Sequence, residues 1–171
     1  MPGLLQNQIA AVTGGGSGIG QAIAIGYARE GASLAVLDIN VEAARGTAKT
    51  ITEAGGKAVA LALDVTDAAA CRTVAAEVSA KVGPVAVLVN NAGIARRAAF
   101  TGDPDAVVKD WQDVMAINLN GVFNVTHAFL AQLRATKGTH RQSRLGAVLR
   151  ASAHADLVGL HSVEARRARL H

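Results

Sequence analysis

The first regular pattern opens at Ile9, where Ile9-Ala-Ala-Val12 forms a short apolar run that stops at Thr13 and a glycine cluster. Beyond the glycines, Ile19, Ala22, Ile23 and Tyr27 recur at helical spacing, which predicts strand, turn and helix. The alternation then repeats. Ser33 to Leu37 predicts a strand, Val41 to Ala54 a helix, Ala58 to Leu63 a strand, Ala68 to Val82 a helix and Val85 to Val89 a fourth strand. A longer helical pattern runs from about Pro104 to Leu133, with Trp111, Val114, Met115, Ile117, Val122 and Phe123 as expected buried positions and a bend expected at Asn118-Leu-Asn-Gly121. Strands alternating with helices imply a parallel sheet covered on both faces, and strands that are apolar throughout agree with that. The expected fold class is α/β, a doubly wound parallel sheet that stops after the fourth strand and the long helix.

Composition narrows the class. Of 171 residues, 50% are hydrophobic and 18% charged, which excludes general disorder. No eighteen apolar residues run unbroken, and Met1-Pro2-Gly3 opens no basic-then-apolar leader, so neither a membrane span nor a secretory signal is expected and the cytoplasm is the expected location. The single cysteine, Cys71, forms no internal disulfide or zinc cage and reads as a small residue on a helix. The net charge of +4 is unevenly placed: residues 1–137 carry 11 Lys/Arg against 11 Asp/Glu, whereas residues 138–171 carry six arginines against Asp156 and Glu164. Four of the five histidines also lie in that tail, which has no lysine. The expected organisation is therefore a nucleotide-binding core over 1–137 and an arginine-rich tail over 138–171.

Three features of the core carry chemistry. Thr13-Gly-Gly-Gly-Ser-Gly-Ile-Gly20 lies between the first strand and the first helix, where glycines let the backbone approach a pyrophosphate and the helix start aims free N–H groups at the anion. Gln21-Ala22 follows in place of the Lys-Ser/Thr of a nucleoside triphosphatase loop, which disfavours that chemistry. Asp38 ends the second strand eighteen residues beyond Gly20, near the spacing at which a carboxylate receives adenosine ribose hydroxyls, and no basic side chain stands nearby for a 2′-phosphate. That favours NAD over NADP. Asp64-Val65 closes the third strand, where a carboxylate either accepts from an adenine amino group or serves a helix start. The fourth strand ends in Asn90-Asn-Ala-Gly93, small and amide residues suited to a backbone packed against a ribose.

Taken together with Asn118-Leu-Asn-Gly121, these motifs resemble the classical short-chain dehydrogenase/reductase family over about residues 5–137, and the resemblance implies its Rossmann-like fold. It also implies that Gly14, Ser17, Gly18, Ile19 and Gly20 line the pyrophosphate, Asp38 the adenosine ribose, Asp64 and Val65 the adenine, and Asn91, Ala92 and Gly93 the ribose region. Asn118 matches the asparagine that holds a water in the family's proton relay and is the one expected catalytic residue; no metal is expected. Arg96 and Arg97 lie where the family's substrate cleft begins, while Trp111 and His127 read as packing and surface residues.

In the family a tyrosine, a lysine four residues later and an upstream serine couple proton transfer to hydride transfer. This sequence has no Tyr-x-x-x-Lys: its one tyrosine is Tyr27 and no lysine follows Lys137. A shifted reading frame explains the loss. Reading from the second base of the codons around His140 to Gly146 can spell Ile-Val-Asn-Leu-Ala-Ser-Val, and the same register across Leu160 to Ala165 can spell Tyr-Thr-Ala-Ser-Lys. In the other shifted frame a tyrosine codon requires Thr, Ile or Met, and residues 140–171 contain none. The expected function is thus an NAD-dependent alcohol or ketone oxidoreductase by resemblance, with this chain truncated and catalytically incompetent. A small-molecule alcohol or ketone is the expected substrate of the intact family, and most of the family's homo-oligomer interface is expected to be missing. The alternative is a non-catalytic nucleotide-binding or basic-tail interaction protein. A nucleic-acid partner is not expected, because the tail has no aromatic interleaving.

Overall fold

A computed structural model describes residues 3–96 and 102–142. Arg97 and the tail beyond Gln142 lie outside the described residues. Five parallel strands, β1 (Ile9–Thr13), β2 (Ser33–Asp38), β3 (Lys57–Ala62), β4 (Val87–Asn90) and β5 (Thr139–Gln142), form one sheet in the order β3-β2-β1-β4-β5. The helices are α1 (Gly18–Arg29), α2 (Val41–Glu53), α3 (Ala68–Val82), α4 (Pro104–Met115) and α5 (Val122–Ala135), the last two joined by a π-helical turn over Ala116–Gly121.

Alternation along the strands divides the core in two. Ala10, Val12, Leu34, Val36, Val87 and Val89 meet Ala24, Ala44, Ala48 and Ile51 of α1 and α2 on one face. Ala11, Ala35, Leu37, Leu61 and Leu88 meet Cys71, Val74 and Val78 of α3 and Val125 and Phe129 of α5 on the other. Neither face is left to water, which is why the strands read as unbroken apolar runs rather than alternating ones. Phe129 is fully buried, and its truncation to alanine would cost about 3–5 kcal/mol.

The register fixes where a ligand can enter. β1 pairs with β2 from Ile9↔Ser33 to Thr13↔Leu37 and with β4 from Ala10↔Val87 to Val12↔Val89. The chain therefore winds outward through β2 and β3, then returns to the other side of β1. That reversal opens a crevice between the loops after β1 and β4 at the carboxyl ends of the strands.

The fifth strand differs from the expectation of a sheet that stops after the fourth. Thr139-His-Arg-Gln142 shows no apolar run, yet its backbone pairs with β4 from Val87↔Thr139 to Asn90↔Gln142. Gly138 permits the approach, because a Cβ there would collide with the Ala86 carbonyl, and its N–H donates to the Leu133 carbonyl at 2.8 Å as α5 ends. The sheet thus continues past residue 138, through main-chain hydrogen bonds that make no demand on side-chain polarity.

The expected burial along the long helix is also corrected. α4 contains no buried residue. Trp111 and Phe123 are 56% and 67% exposed, so Trp111 is a surface residue rather than a packing one, while Val114, Met115, Ile117 and Val122 are only half-buried. Length is the cause: 32 helical residues extend about 48 Å, whereas a strand of five residues extends about 17 Å, so only the α5 half can lie along the sheet. By length and composition Pro104–Ala135 could cross a membrane, but Val125, Phe129 and Leu133 are packed into the core beneath it.

Candidate functional site

The glycine turn after β1 is held from three sides. The Gly15 N–H donates to the Leu37 carbonyl at 3.1 Å, the Gly16 N–H donates to Asp38 Oδ2 at 2.9 Å, and the Gly14 carbonyl accepts from Asn91 Nδ2 at 3.1 Å. Gly14 has φ +61°, and a Cβ on it would lie 3.0 Å from Ala92 Cα. A Cβ on Gly20 would collide with the Gly14 carbonyl and stand 2.5 Å from Asn91 Nδ2. Helix α1 can approach the β4 loop this closely only because both positions are glycine.

Thr13 joins the two sides of the crevice. Its Oγ1 accepts from the N–H groups of Asn91 and Ala92 at 3.0 and 3.1 Å and donates to the Val89 carbonyl at 3.4 Å, so one buried hydroxyl uses its proton and both lone pairs. The cleft between these loops has a volume of about 340 Å³ and is lined by Gly14, Ser17, Gly18, Ile19, Asp38, Asp64, Val65, Asn91, Ala92 and Gly93, with Ile117 behind them. Gly20 is not part of this lining and instead packs against Gly14 and Asn91, which are.

The cleft has features that could hold a dinucleotide cofactor. Asn40, Asp67 and Asp103 accept from backbone N–H groups at the starts of α2, α3 and α4, whereas Ser17 makes no such bond at the start of α1 and no acidic residue lies in its first turn. An anion there meets unopposed N–H groups. Gly18, at φ +53°, faces open space. Asn91 Oδ1 is buried without a hydrogen-bond partner on a residue that lines the cleft, which leaves an acceptor for a ligand hydroxyl.

A family model described as short chain dehydrogenase matches residues 8–158. The chain belongs to the short chain dehydrogenase family. The match runs past β5 and past the compositional boundary at Gly138. Among curated relatives, the chain is 40% identical over 127 residues to "Probable oxidoreductase EphD" of Mycobacterium tuberculosis, covering 74% of this chain and 21% of that protein. It is 40% identical over 124 residues to "D-threitol dehydrogenase" of Mycolicibacterium smegmatis, covering 72% and 46%. It is 39% identical over 140 residues to "2-(S)-hydroxypropyl-CoM dehydrogenase 3" of Xanthobacter autotrophicus, covering 81% and 54%. The chain spans about half the length of the latter two and a fifth of the first.

Within this short chain dehydrogenase chain, the acidic positions are prearranged differently. Asp38 is gripped by backbone at both oxygens, Oδ2 by the Gly16 N–H and Oδ1 by the Asn40 N–H at 2.9 Å, which fixes the carboxylate at the cleft rim. Asp64 Oδ1 accepts from the N–H and hydroxyl of Thr66 at 2.9 and 2.7 Å, and the cap of α3 is Asp67 rather than Asp64. Asn118 does not line the cleft; its side-chain amide engages the backbone of Ile94. Arg96 reaches α4, with Nε 3.9 Å from Asp110 and a terminal nitrogen 3.5 Å from Asp113. The hydrogen bond from Lys109 at 2.8 Å, with Arg96 beside it, holds the Asp113 carboxyl below its usual range. Tyr27 packs against the α1 and α2 side of the core, away from the cleft lining.

Several supporting residues escaped the sequence reading. Thr47 is fully buried with Oγ1 3.4 Å from the Gly16 carbonyl and accepts from Gln21 Nε2 at 3.2 Å, bracing the turn from α2. Asn124 donates from α5 to the Val65 carbonyl. A lone threonine or asparagine on a helix leaves no periodic signal. The one available cue was their placement on the core-facing side of an amphipathic pattern, where a polar group requires a partner. Cys71 lies in the core, and burial first, then the nearby Asp67 and Asp64 charges, push its thiol up to about 11.

Proposed function

We propose that this chain is the nucleotide-binding part of an NAD-dependent oxidoreductase acting on a small alcohol or ketone in the cytoplasm, and that the 171-residue chain itself binds NAD weakly without turnover. The observation that carries the cofactor choice is Asp38, a carboxylate fixed by two backbone N–H groups where a ribose would lie. A rigid acceptor favours two hydroxyl donors and repels a 2′-phosphate. Nicotinamide, when bound, supplies the hydride acceptor or donor. The chain's own residues bind and orient: the N–H groups at the start of α1 take the pyrophosphate, Asp38 the adenosine ribose, Asp64 and Val65 the adenine, and Asn91, Ala92 and Gly93 the ribose beyond the pyrophosphate. The substrate class draws support from two of the three relatives, a D-threitol dehydrogenase and a 2-(S)-hydroxypropyl-CoM dehydrogenase.

Proton transfer is the missing half. Asn118 is the one position matching the family's proton relay, and an amide does not replace a phenol as acid or base at neutral pH. The 171 residues contain no Tyr-x-x-x-Lys, and the shifted-frame reading of residues 138–171 accounts for its loss. Resequencing the coding DNA from codon 130 onward tests that account, with a serine and Tyr-x-x-x-Lys expected in the alternative frame. Calorimetric titration tests the cofactor. NAD is expected to bind more tightly than NADP, with the preference abolished by Asp38→Ala; equal or tighter NADP binding by the unaltered chain overturns the choice, and dehydrogenase turnover by that chain overturns the inactivity.

A further inference from the structure

Two helices on one face of the sheet, α3 and α5, hold one short loop. After β3 the Leu63 N–H donates to the Asp38 carbonyl at 2.9 Å, and the chain then leaves the sheet with Leu63 and Val65 buried. From α5, Asn124 Nδ2 donates to the Val65 carbonyl at 3.1 Å and to the Thr66 carbonyl at 3.3 Å. From α3, Cys71 Sγ lies 3.7 Å from the same Val65 oxygen, so both lone pairs of that carbonyl have a donor. One turn ahead of Asn124, a Cβ on Gly121 would stand 2.6 Å from Val65 Cγ2, so the helix backbone itself presses on the Val65 side chain. The Asn124 contact spans 59 positions in sequence and adds a long-range tie to a loop whose nearer bonds join Thr66 to Asp64 and Asp67 to Asp64.

We propose that Asn124 is a positioning residue that fixes the Asp64–Val65 loop for adenine recognition. The proposal rests on the nucleotide reading given above. An amide is suited to the task because its NH₂ carries two protons and two carbonyls face it. An apolar residue of similar size would leave both carbonyls without that donor. An aspartate would set carboxylate oxygens against two carbonyl oxygens and drive the loop away.

Calorimetric titration of the whole chain with AMP and with inorganic pyrophosphate separates the adenine side from the phosphate side. Asn124→Ala is expected to weaken AMP binding about five- to tenfold, as for loss of a hydrogen bond or two, while leaving pyrophosphate binding unchanged. Asn124→Asp, close to isosteric, is expected to weaken AMP binding further; AMP binding equal to the parent in either variant overturns the proposal, the aspartate result by showing that shape alone matters. A parent chain that binds pyrophosphate but not AMP overturns the adenine assignment, and one that binds neither overturns the nucleotide reading. Hydrogen exchange decides the clamp in every case. Asn124→Ala is expected to speed exchange across residues 63–67 relative to residues 33–38, and an unchanged ratio overturns the clamp. Should Asn124→Asp fail to fold by circular dichroism, Asn124→Ala carries both readouts.

Discussion

The side-chain amide of Asn118 meets the backbone of Ile94 at both ends: Oδ1 accepts from the Ile94 N–H at 2.9 Å and Nδ2 donates to the Ile94 carbonyl at 2.8 Å. The pair closes a ring that only an amide can complete. Gly93, next to Ile94, lies so near that a Cβ on it would stand 3.1 Å from Asn118 Oδ1. The π-helical turn widens the helix where Asn118 sits, so a local irregularity of the backbone and the fixation of the β4 loop are one structural event.

Removing that amide should loosen the loop. Asn118→Ala is expected to cost about 1–3 kcal/mol, because two backbone groups of Ile94 lose their partners. Asn118→Asp keeps an acceptor for the N–H but sets an oxygen against the Ile94 carbonyl, so it should be no better than alanine. Urea midpoints at constant slope measure the loss. A loss below a few tenths of a kcal/mol in both variants would show that the loop is held elsewhere.

Gly20 is the least replaceable position of the turn. A methyl group there collides with the Gly14 carbonyl and crowds the Asn91 amide, which are bonded to each other at 3.1 Å, so neither can move away without breaking that bond. Gly20→Ala is expected to destabilise the chain by about 1–3 kcal/mol through overpacking and to remove measurable NAD binding. Gly46, on the exposed side of α2 with nothing within 4 Å of its Cβ direction, provides the contrast. Gly46→Ala should stabilise by about 0.5–1 kcal/mol and leave NAD binding alone. Thermal unfolding and titration of the two variants side by side would expose an error in either assignment.

The β1 to β4 order, the two-sided cover and the glycine turn were legible because each depends on a repeating pattern or on residue types that no other role requires. The place of Asp38 at the cleft was legible through its spacing from Gly20. What lay outside the pattern depended on partners distant in sequence. Thr139-His-Arg-Gln142 looks nothing like a strand, because β5 forms through the main chain of β4. Periodicity marked Trp111 and Phe123 as buried, and they are exposed, because a helical pattern carries no information on whether anything covers its apolar side. Thr13, Thr47 and Asn124 are single polar residues whose roles exist only once β1, α2 and α5 are brought to the cleft. Cys71 was read as a small helical residue, and its packing agrees, while its contact with the Val65 carbonyl could not be foreseen.

The Cys71 thiol gives a pH dependence with a definite sign. In the unfolded chain it titrates near 9.0, whereas in the folded chain burial and two acidic neighbours hold it to about 11. Between those values the folded state binds the additional proton, so stability falls as pH rises from about 9 to about 11 and is unaffected by this group below that window. The difference corresponds to about 2–3 kcal/mol at the upper end. Cys71→Ala should flatten this part of the stability profile while lowering stability at pH 7 through lost packing. Urea unfolding of both chains at pH 7, 9 and 10.5 measures it, and parallel slopes for the two would refute the assignment.

The exposed side of α4 and α5 governs behaviour in solution. Val108, Trp111, Leu119 and Phe123 follow one another at helical spacing and all stand more than half exposed, with the Phe123 ring stacked on His127 at 5.7 Å. Four large apolar side chains exposed along one helical stretch favour association over solubility. Because Trp111 on α4 and Phe123 on α5 are both more than half exposed, their polar replacement should cost the fold little. Trp111→Gln combined with Phe123→Gln is expected to change the unfolding free energy by less than about 1 kcal/mol and to reduce concentration-dependent light scattering of the 171-residue chain. Scattering unchanged by the pair of substitutions would place the association elsewhere, with the outer edge of β5, which pairs with no other strand among the described residues, the next surface to test.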